Sequence, residues 1–331
     1  MKLTSMNLEL TTACPLRCSQ CYCNLDNPKH MPLETAKKWL DEGAKAGVQY
    51  VSLSGGETLC YPHLDEVIRY ARSLGLWTAA AFSGWGMTEA VLDRLRAAGL
   101  SQLHISLNGS TEEINALTRQ GYGHAIAALR LLRDHPVGTV GINWVMHANN
   151  ADDFPAMLDL ADEYGAAILD VIAFKPDARA QMKSVPTGDQ LRRVADVIRH
   201  KKNAVRVGVE RCYSPLLALL LQTELFGNLN VGPQRGCGAG VDVFSVNLDG
   251  SLSPCRHIHY RERFDSLEDY YARSGVIAKL HACTPKAAEQ PCAGCRFLYH
   301  CRPCLSVQTE LHDRIAYGNP LCPLAEKSKA V

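Results

Sequence analysis

Short apolar or β-branched runs alternate with amphipathic windows from Thr4 to about Ala180. This alternation is typical of βα units, in which helices cover a parallel sheet, so we predict an α/β fold. The apolar runs predict six strands, near Asn7–Leu10, Tyr50–Leu53, Thr78–Phe82, Gln102–Leu107, Gly141–Met146 and Ile168–Phe174.

The windows between these runs predict helices. Their apolar residues recur at three- and four-residue spacing, which places them on one helix face. Residues common at helix starts lie near the beginnings of several windows: Pro32, Pro62, Asp152 and Pro155. Six βα units are too few for a complete eight-stranded barrel of ~250 residues. A partial (β/α)6 TIM-like barrel fits better than a flat doubly wound sheet, which the pattern alone also allows.

The pattern changes twice along the chain, which predicts three domains. Residues 1–185 form the partial barrel. Residues 186–234 form a helical bridge, because Asp189–His200 is amphipathic and Pro215–Phe226 is rich in leucine. Residues 235–331 have short segments and frequent cysteine, which indicates a small domain held together by metal.

Composition limits the compartment and the partners. The chain has 331 residues and a formal net charge of +1, so no global charge favours nucleic acid or an anionic membrane. The start resembles no signal peptide, and no apolar run approaches the ~18 residues of a membrane span. We therefore expect a cytoplasmic protein. Its 14 cysteines are then better explained by metal ligation than by disulfides.

Three of these cysteines form the spacing Cys14-x3-Cys18-x2-Cys21 directly after the first predicted strand. Three thiolates of one loop can hold three irons of a [4Fe–4S] cluster and leave the fourth iron open to a small molecule. The alternative is a structural zinc site with Cys23 as the fourth thiol, although this spacing is unusual for zinc.

This cysteine loop, followed by Gly55-Gly56-Glu57 at the end of the second strand, resembles the radical S-adenosylmethionine (AdoMet) superfamily. The resemblance implies that Cys14, Cys18 and Cys21 hold the cluster and that its open iron binds the amino and carboxylate groups of AdoMet. It also implies that the glycine turn supports the amino group. Glycines allow close backbone approach, and a carboxylate can accept a charge-assisted hydrogen bond from an ammonium.

Further AdoMet contacts are implied by position. The run His104–Gly109 resembles the fourth-strand segment of the family, which assigns Ser106 and Asn108 to AdoMet, with Asn108 replacing the usual acid. Arg119 is expected to meet a carboxylate, or else to be a solvated helix-cap residue. Asn143 on the fifth strand is assigned to the interior of the barrel, with core packing as the alternative.

Two departures from the family lie in this half of the chain. Gln20 stands where an aromatic residue usually precedes the third cysteine, and Tyr22 follows that cysteine; we expect both near AdoMet. The third strand ends Phe82-Ser83-Gly84, where relatives often have Thr-Asn-Gly.

The C-terminal cysteines resemble the seven-cysteine SPASM extension, which carries two auxiliary iron–sulfur clusters. The pattern is Cys237-x12-Gly250-x4-Cys255, then Cys292-x2-Cys295-x5-Cys301-x2-Cys304, and finally Cys322. One interval differs from the family pattern: two residues separate Cys301 from Cys304, where the family has three. The resemblance assigns four thiolates to the distal cluster, namely Cys292, Cys295, Cys301 and Cys322. It assigns three to the nearer cluster, namely Cys237, Cys255 and Cys304.

The nearer cluster is therefore one ligand short, and several alternatives are open. Cys212 or Cys283 completes it, one iron stays open to substrate, or the chain holds a single auxiliary cluster. A zinc ribbon over Cys292–Cys304 is a further alternative. In relatives that epimerise a carbon centre a free thiol returns the hydrogen atom, so Cys212 and Cys283 are also candidate catalytic residues. Unassigned cysteines are more commonly inert and buried.

The resemblance implies a radical AdoMet oxidoreductase that abstracts a substrate hydrogen atom through a 5′-deoxyadenosyl radical. The expected substrate is a ribosomally made peptide, which gains a thioether or carbon–carbon crosslink or is epimerised, as in natural-product maturases. The alternatives are oxidation or epimerisation of a small molecule such as an aminocyclitol or sugar, and a non-enzymatic iron–sulfur or zinc module. One expected partner is an electron donor such as flavodoxin or ferredoxin. Because the first strand begins near Asn7, we also expect a separate leader-binding protein.

Overall fold

The computed structural model describes residues 3–176, 179–221, 236–295, 298, 301–319, 322 and 324. The chain divides into two compact units. The first unit comprises Met1–Leu107, Thr118–Ile142 and Ala239–Ala278, and the second comprises Asn108–Leu117, Asn143–Gly238 and Lys279–Val331.

Strands and helices alternate as the sequence pattern predicts. The strands are β1 (Ser5–Thr11), β2 (Tyr50–Gly55), β3 (Trp77–Phe82), β4 (Gln102–Ser106), β5 (Thr139–Met146), β6 (Ile168–Ala173), β7 (Arg206–Val209), β8 (Val243–Val246) and β9 (Leu252–Ser253). The helices are α1 (Leu33–Lys45), α2 (Leu64–Ser73), α3 (Glu89–Ala98), α4 (Glu112–Ala116), α5 (Tyr122–Asp134), α6 (Phe154–Glu163), α7 (Gly188–His200), α8 (Ser214–Leu221), α9 (Leu267–Arg273), α10 (Gly275–Ala282) and α11 (Leu305–His312). In the described part of the chain, no helix is long and apolar enough to cross a membrane.

The first unit is built on a mainly parallel sheet. Its strand order is β5-β4-β3-β2-β1-β8-β9, where β5 contributes its first half. Leu8 of β1 stands opposite Leu53 of β2 and Val246 of β8, both in parallel register. Only the short β9 pairs antiparallel among the strands with described pairings. The predicted α/β fold with a parallel sheet is thus confirmed.

Strand β1 has one apolar and one polar face. Met6, Leu8 and Leu10 are fully buried. Helix α1 packs over this face through Gly43, where an added Cβ would lie 2.7 Å from the Met6 sulfur. Because side chains alternate along a strand, Asn7 and Glu9 point to the opposite face. That face therefore carries the polar groups of the strand.

The second unit contains the strand order β7-β6-β5, with the second half of β5. Leu169 of β6 stands opposite Val207 of β7 in parallel register. Trp144 of β5 is fully buried, and its ring centroid lies 5.1 Å from that of Phe154 in α6. Core packing therefore accounts for Trp144, while its neighbour Asn143 faces the other side of the sheet.

Strand β7 corrects the prediction of a purely helical bridge. Helix α7 is confirmed, and α8 covers the first part of the predicted Pro215–Phe226 helix, but β7 lies between them. Val207 and Val209 are buried beside β6, so pairing with a neighbouring strand outweighs the weak local signal of four residues. The part of the predicted bridge at residues 222–234 lies outside the described residues. The predicted domain boundaries stay a prediction.

Truncation of Trp39 tests the packing of α1. This side chain is 2% exposed, so Trp39→Ala is expected to lower the free energy of unfolding by about 3–5 kcal/mol. Lys45→Ala on the same helix removes a side chain that is 73% exposed and should change it by less than ~0.5 kcal/mol. Urea unfolding followed by circular dichroism measures both. Equal effects of the two variants would contradict the packing.

Candidate active site

The loop between β1 and α1, residues 12–32, is called the cysteine loop here and carries Cys14, Cys18 and Cys21. It closes back onto β1, because the Thr12 N–H donates to the Lys29 carbonyl at 2.9 Å and the Met31 N–H donates to the Leu10 carbonyl at 2.8 Å. The loop thus leaves and returns at the carboxyl end of β1. In parallel α/β folds this end of the strands is where sites form.

The three thiols lie within electrostatic range of one another. Burial raises the pKa of Cys14, and the Glu57 carboxylate and the thiols of Cys18 and Cys21 raise it further. Among the described residues, no three cysteine, histidine or acidic side chains converge as ligands of one metal ion. In a cubane cluster each thiolate binds a different iron, so such convergence is not required. The residues present fit a three-thiolate cluster loop.

A second segment, residues 118–120, holds the middle of the cysteine loop. The Gln120 N–H donates to the Cys18 sulfur at 3.4 Å, and the Gln120 Oε1 accepts from the Arg17 N–H at 2.8 Å. The Ser19 hydroxyl donates to the Thr118 carbonyl at 3.3 Å. Gln120 was not predicted from the sequence, whereas the adjacent Arg119 was. Gln120 orients Cys18 from a position 102 residues away.

The Gly55-Gly56-Glu57 turn packs directly against the start of the cysteine loop. The Gly56 N–H donates to the Thr11 carbonyl at 2.7 Å, and the Glu57 N–H donates to the Ala13 carbonyl at 2.8 Å. A Cβ on Gly55 would lie 2.1 Å from the Thr11 oxygen, and one on Gly56 would lie 2.4 Å from the Ala13 oxygen. Gly55 also has a φ of 139°, which side chains rarely allow. Only glycines permit this approach.

Glu57 is 2% exposed, and its carboxylate accepts three hydrogen bonds. The Ser83 N–H and hydroxyl donate to Oε2 at 2.8 and 2.5 Å, and the Leu59 N–H donates to Oε1 at 3.2 Å. Burial raises the pKa of Glu57, whereas these bonds and the Arg119 guanidinium lower it. Ser83 therefore fixes the carboxylate. This role of Ser83 was not predicted from the sequence, where the residue is only a departure from the family pattern.

The charges around Cys21 favour its thiolate. The Cys23 thiol as hydrogen-bond partner lowers the pKa of Cys21, burial raises it, and the guanidinium groups of Arg119 and Arg17 lower it further. The Cys23 thiol also contacts the Gly55 carbonyl at 3.1 Å as a donor. Arg119 thus acts electrostatically on both Cys21 and Glu57.

A cavity of about 230 Å³ opens beside the cysteine loop in the first unit. Its wall combines the polar face of β1, the loop itself and the segment around β8 and β9. The residues that line it are Asn7, Glu9, Thr12, Tyr22, Cys23, Asn24, Ser54, Ser245, Val246, Asn247, Leu248, Arg256, His259 and Arg261. Three of the lining side chains are basic and one is acidic, so the cavity favours a group that carries negative charge.

Tyr22 belongs to this wall. Its ring centroid lies 4.7 Å from that of His257, and burial raises the pKa of its phenol while Arg256 lowers it. Gln20 is a half-buried residue of the cysteine loop, and Ser106 is half-buried at the end of β4. Their predicted contacts with AdoMet stay predictions.

Asn108 and Asn143 lie in the second unit. The Asn108 side chain is 1% exposed and its Oδ1 accepts from the Val145 N–H at 3.1 Å. The Asn108 carbonyl accepts from Trp144 Nε1 at 3.2 Å and from Asn150 Nδ2 at 2.8 Å. Asn108 therefore fixes the backbone of β5. Asn143 is half-buried on that strand, and its predicted contact with AdoMet is, like that of Asn108, still a prediction.

Three C-terminal cysteines of the second unit lie within electrostatic range of Cys301. Burial and the neighbouring thiols of Cys322, Cys292 and Cys295 together raise the pKa of Cys301 to about 12, although a hydrogen bond with Ser214 opposes the rise. The Cys292 sulfur accepts from the Asn319 N–H at 3.4 Å. Four thiolates are the usual ligand set of an iron–sulfur cluster.

Cys304 has a different partner. Its sulfur lies 3.0 Å from the Ser306 hydroxyl oxygen, and it lines one cavity together with Cys212. The neighbouring thiol of Cys212 lowers the pKa of Cys304, and the thiol of Cys304 raises that of Cys212. Lys175 lies beside both thiols, and its Nζ donates to the Glu210 carboxylate oxygens at 2.7 and 2.9 Å. Burial alone would lower the pKa of Lys175, but the adjacent Cys212 and Glu210 raise it.

The remaining cysteines are placed as follows. Cys237 is buried in the second unit, where its N–H donates to the Arg302 carbonyl at 3.0 Å. Cys283 follows α10, with Arg302 lowering a pKa that burial raises. Cys255 belongs to the first unit and follows β9. Cys60 lies near Glu57, and burial raises its pKa.

Comparison with known proteins places this geometry in context. Residues 8–161 match the profile of the Radical SAM superfamily. PqqA peptide cyclase of Ruegeria pomeroyi is 35% identical over 173 residues, which are 50% of this chain and 46% of that protein. The chain thus matches less than half the length of this curated relative.

Two solved structures share the fold. Streptococcus suis SuiB bound to the precursor peptide SuiA superposes with a TM-score of 0.77 at 15% identity, over 97% of this chain and 76% of SuiB. Native anSMEcpe with bound AdoMet and the Kp18Cys peptide superposes with a TM-score of 0.76 at 16% identity, over 98% of this chain and 95% of that one. At such identities the likeness establishes the fold.

Substitution of Gly55 tests the close approach of the turn to the cysteine loop. Gly55→Ala adds a Cβ 2.1 Å from the Thr11 oxygen at a φ of 139°, and we expect a loss of about 2–4 kcal/mol in the free energy of unfolding. At Gly75, also at positive φ, a Cβ meets nothing within 4 Å, so Gly75→Ala should cost about 1 kcal/mol. Urea unfolding under anaerobic conditions compares them. A smaller loss for Gly55→Ala than for Gly75→Ala would refute the contact.

Proposed function

We propose that this chain is a radical AdoMet enzyme that modifies a ribosomally made peptide, because residues 8–161 match the profile of the Radical SAM superfamily. The grouping of Cys14, Cys18 and Cys21 on one loop against the Gly55-Gly56 turn carries the proposal. When bound there, a [4Fe–4S] cluster and AdoMet supply reductive cleavage to a 5′-deoxyadenosyl radical, which takes a hydrogen atom from the substrate.

The protein side chains prepare the site for this chemistry. Arg17 and Arg119 offset the negative charge of Cys21, which favours the thiolate form that binds iron. Gln120 orients Cys18, and Ser83 holds the Glu57 carboxylate in one position. Groups that are fixed in advance need no reorganisation when the cofactor binds.

The distal auxiliary site is proposed to hold an iron–sulfur cluster on Cys292, Cys295, Cys301 and Cys322. The mutual electrostatic effect of these four thiols supports this assignment. A second auxiliary cluster on Cys237, Cys255 and Cys304 follows from the resemblance of their spacing to the SPASM extension. Auxiliary clusters can relay an electron from the substrate radical, which suits a net oxidation such as a crosslink.

A peptide is proposed as the substrate because a relative that is 35% identical over 173 residues is named PqqA peptide cyclase. Two solved structures of the same fold also contain bound peptides. The cavity beside the cysteine loop offers a place for one residue of such a peptide. Its basic side chains Arg256, His259 and Arg261 favour a residue that carries a carboxylate. An external electron donor and a separate leader-binding protein are part of the same proposal.

The first test measures AdoMet cleavage. Anaerobically reconstituted protein with AdoMet and dithionite should form 5′-deoxyadenosine, detected by mass spectrometry, and replacement of Cys14, Cys18 and Cys21 by Ala should abolish it. Cys60→Ala removes a half-buried thiol that belongs to neither cysteine motif, and the rate should stay within about twofold. Equal rates for the triple variant and the native protein would falsify the enzyme proposal.

The same assay with precursor peptides in deuterated solvent identifies the reaction. A loss of two hydrogens indicates a crosslink, and one solvent deuterium at carbon indicates epimerisation. Turnover of sugars or aminocyclitols without turnover of any peptide would contradict the proposed substrate class.

Removal of one basic side chain tests the cavity. Arg261→Met should raise the KM for an acidic peptide about three- to tenfold, as expected for loss of a partly exposed charge contact. Arg263→Met is the matched control, because Arg263 pairs with Asp249 and does not line the cavity. Cleavage of AdoMet without peptide should be unchanged in both. An equal rise in KM for the two variants would point to general charge rather than to the cavity.

A further inference from the structure

The nearer auxiliary cluster lacks one ligand when only the SPASM spacing is used. Iron–sulfur clusters are commonly held by four thiolates, whereas the spacing supplies Cys237, Cys255 and Cys304. Cys212 and Cys304 line the same cavity, where each thiol shifts the pKa of the other. We propose that Cys212 is a ligand of the iron–sulfur cluster held by Cys304. This inference rests on the auxiliary-cluster part of the proposed function.

The backbone brings Cys212 to this position without help from its own side chain. Cys212 lies in the turn between β7 and α8, where the Glu210 N–H donates to the Val171 carbonyl at 2.9 Å and the Tyr213 N–H donates to the Glu210 carbonyl at 2.7 Å. The Tyr213 hydroxyl reaches the Met146 sulfur at 3.2 Å. The turn is therefore anchored on two neighbouring strands.

The Arg302 carbonyl gathers the cysteines of this site. It accepts from the Cys237 N–H at 3.0 Å and from the Ser214 hydroxyl at 2.7 Å. Ser214 follows Cys212 by two residues, and Cys304 follows Arg302 by two residues. A single acceptor thus ties three segments together, each of which carries one cysteine.

The surroundings of the pair suit a ligand role. Lys175 holds an ammonium beside both thiols, fixed by Glu210 and by the Ala173 carbonyl at 3.2 Å. A fixed positive charge offsets the negative charge of thiolate ligands. Phe174, Tyr213 and Val307 line the adjoining cavity together with both cysteines. An apolar wall restricts the access of water to a cluster.

This placement distinguishes the two unassigned thiols of the second unit. Cys283 follows α10, and its N–H donates to the Lys279 and Leu280 carbonyls at 3.2 Å. The thiol partner of Cys304 is Cys212. A thiolate bound to iron carries no hydrogen atom to return to a substrate radical, so the ligand role removes Cys212 from the catalytic candidates.

Iron counting without the first cluster tests the inference. The background is the full chain with Cys14, Cys18 and Cys21 replaced by Ala, so that bound iron reports only auxiliary clusters. In this background Cys212→Ala should lose as much iron and sulfide as Cys304→Ala, up to roughly four of each per chain. The electron paramagnetic resonance spectrum of the reduced Cys212→Ala variant should lack the same cluster signal that is missing from the Cys304→Ala variant. Cys283→Ala is the control and should lose neither.

Four results would overturn the inference. Unchanged iron in Cys212→Ala, loss only in Cys304→Ala, a Cys212–Cys304 disulfide in the reconstituted protein, or no iron in the background all contradict it. Cys212→Ser, which keeps the volume and a hydrogen-bond donor, serves if the alanine variant does not fold. It should alter the resonance or Mössbauer spectrum of one cluster, and an unaltered spectrum counts against the inference. Formation of 5′-deoxyadenosine by the native chain separately reports the proposed enzyme function.

Discussion

The first unit depends on one contact between two backbones, the approach of Gly55-Gly56 to the segment Thr11–Ala13. The regular β1–β2 register shifts between Glu9 and Thr11, where the ladder becomes this tighter contact. A Cβ on either glycine would overlap a carbonyl oxygen. The contact fixes the first residues of the cysteine loop and, through the Gly55 carbonyl, the thiol of Cys23. The position of the three-thiol loop is thus set by the absence of two side chains.

Charge is the second constraint, because the site collects negative groups in a buried place. An unpaired buried carboxylate is costly, and three hydrogen-bond donors accommodate that of Glu57. In the second unit the carboxylate of Glu210 is instead stabilised by a direct ion pair with the ammonium of Lys175. In both places the polar groups are fixed by the protein itself, so the binding of a cofactor need not order them.

Local signals in the sequence predicted much of this molecule. All six predicted strands are present, because each has a buried apolar face and a neighbouring helix. The strand β7 was missed because four residues carry too little pattern without knowledge of their partner β6. Likewise Gln120 and Ser83 were missed as site residues because their role depends on contacts with Cys18 and Glu57, distant in sequence. The spacing of cysteines in the sequence identifies metal ligands that share one loop. Residues that hold those ligands in place from other loops can be identified only once the fold is known.

The interval between Cys301 and Cys304 is one residue shorter than in the family, and the two thiols have neighbours that are distant in sequence. On extended backbone, residues three positions apart point to opposite sides. Cys304 has extended dihedrals as it caps α11, and its thiol meets Cys212, while the thiol of Cys301 lies near Cys292, Cys295 and Cys322. Arg302, between them, accepts hydrogen bonds from two other segments. The thiols of Cys301 and Cys304 therefore have different neighbours, Cys292, Cys295 and Cys322 for the first and Cys212 for the second.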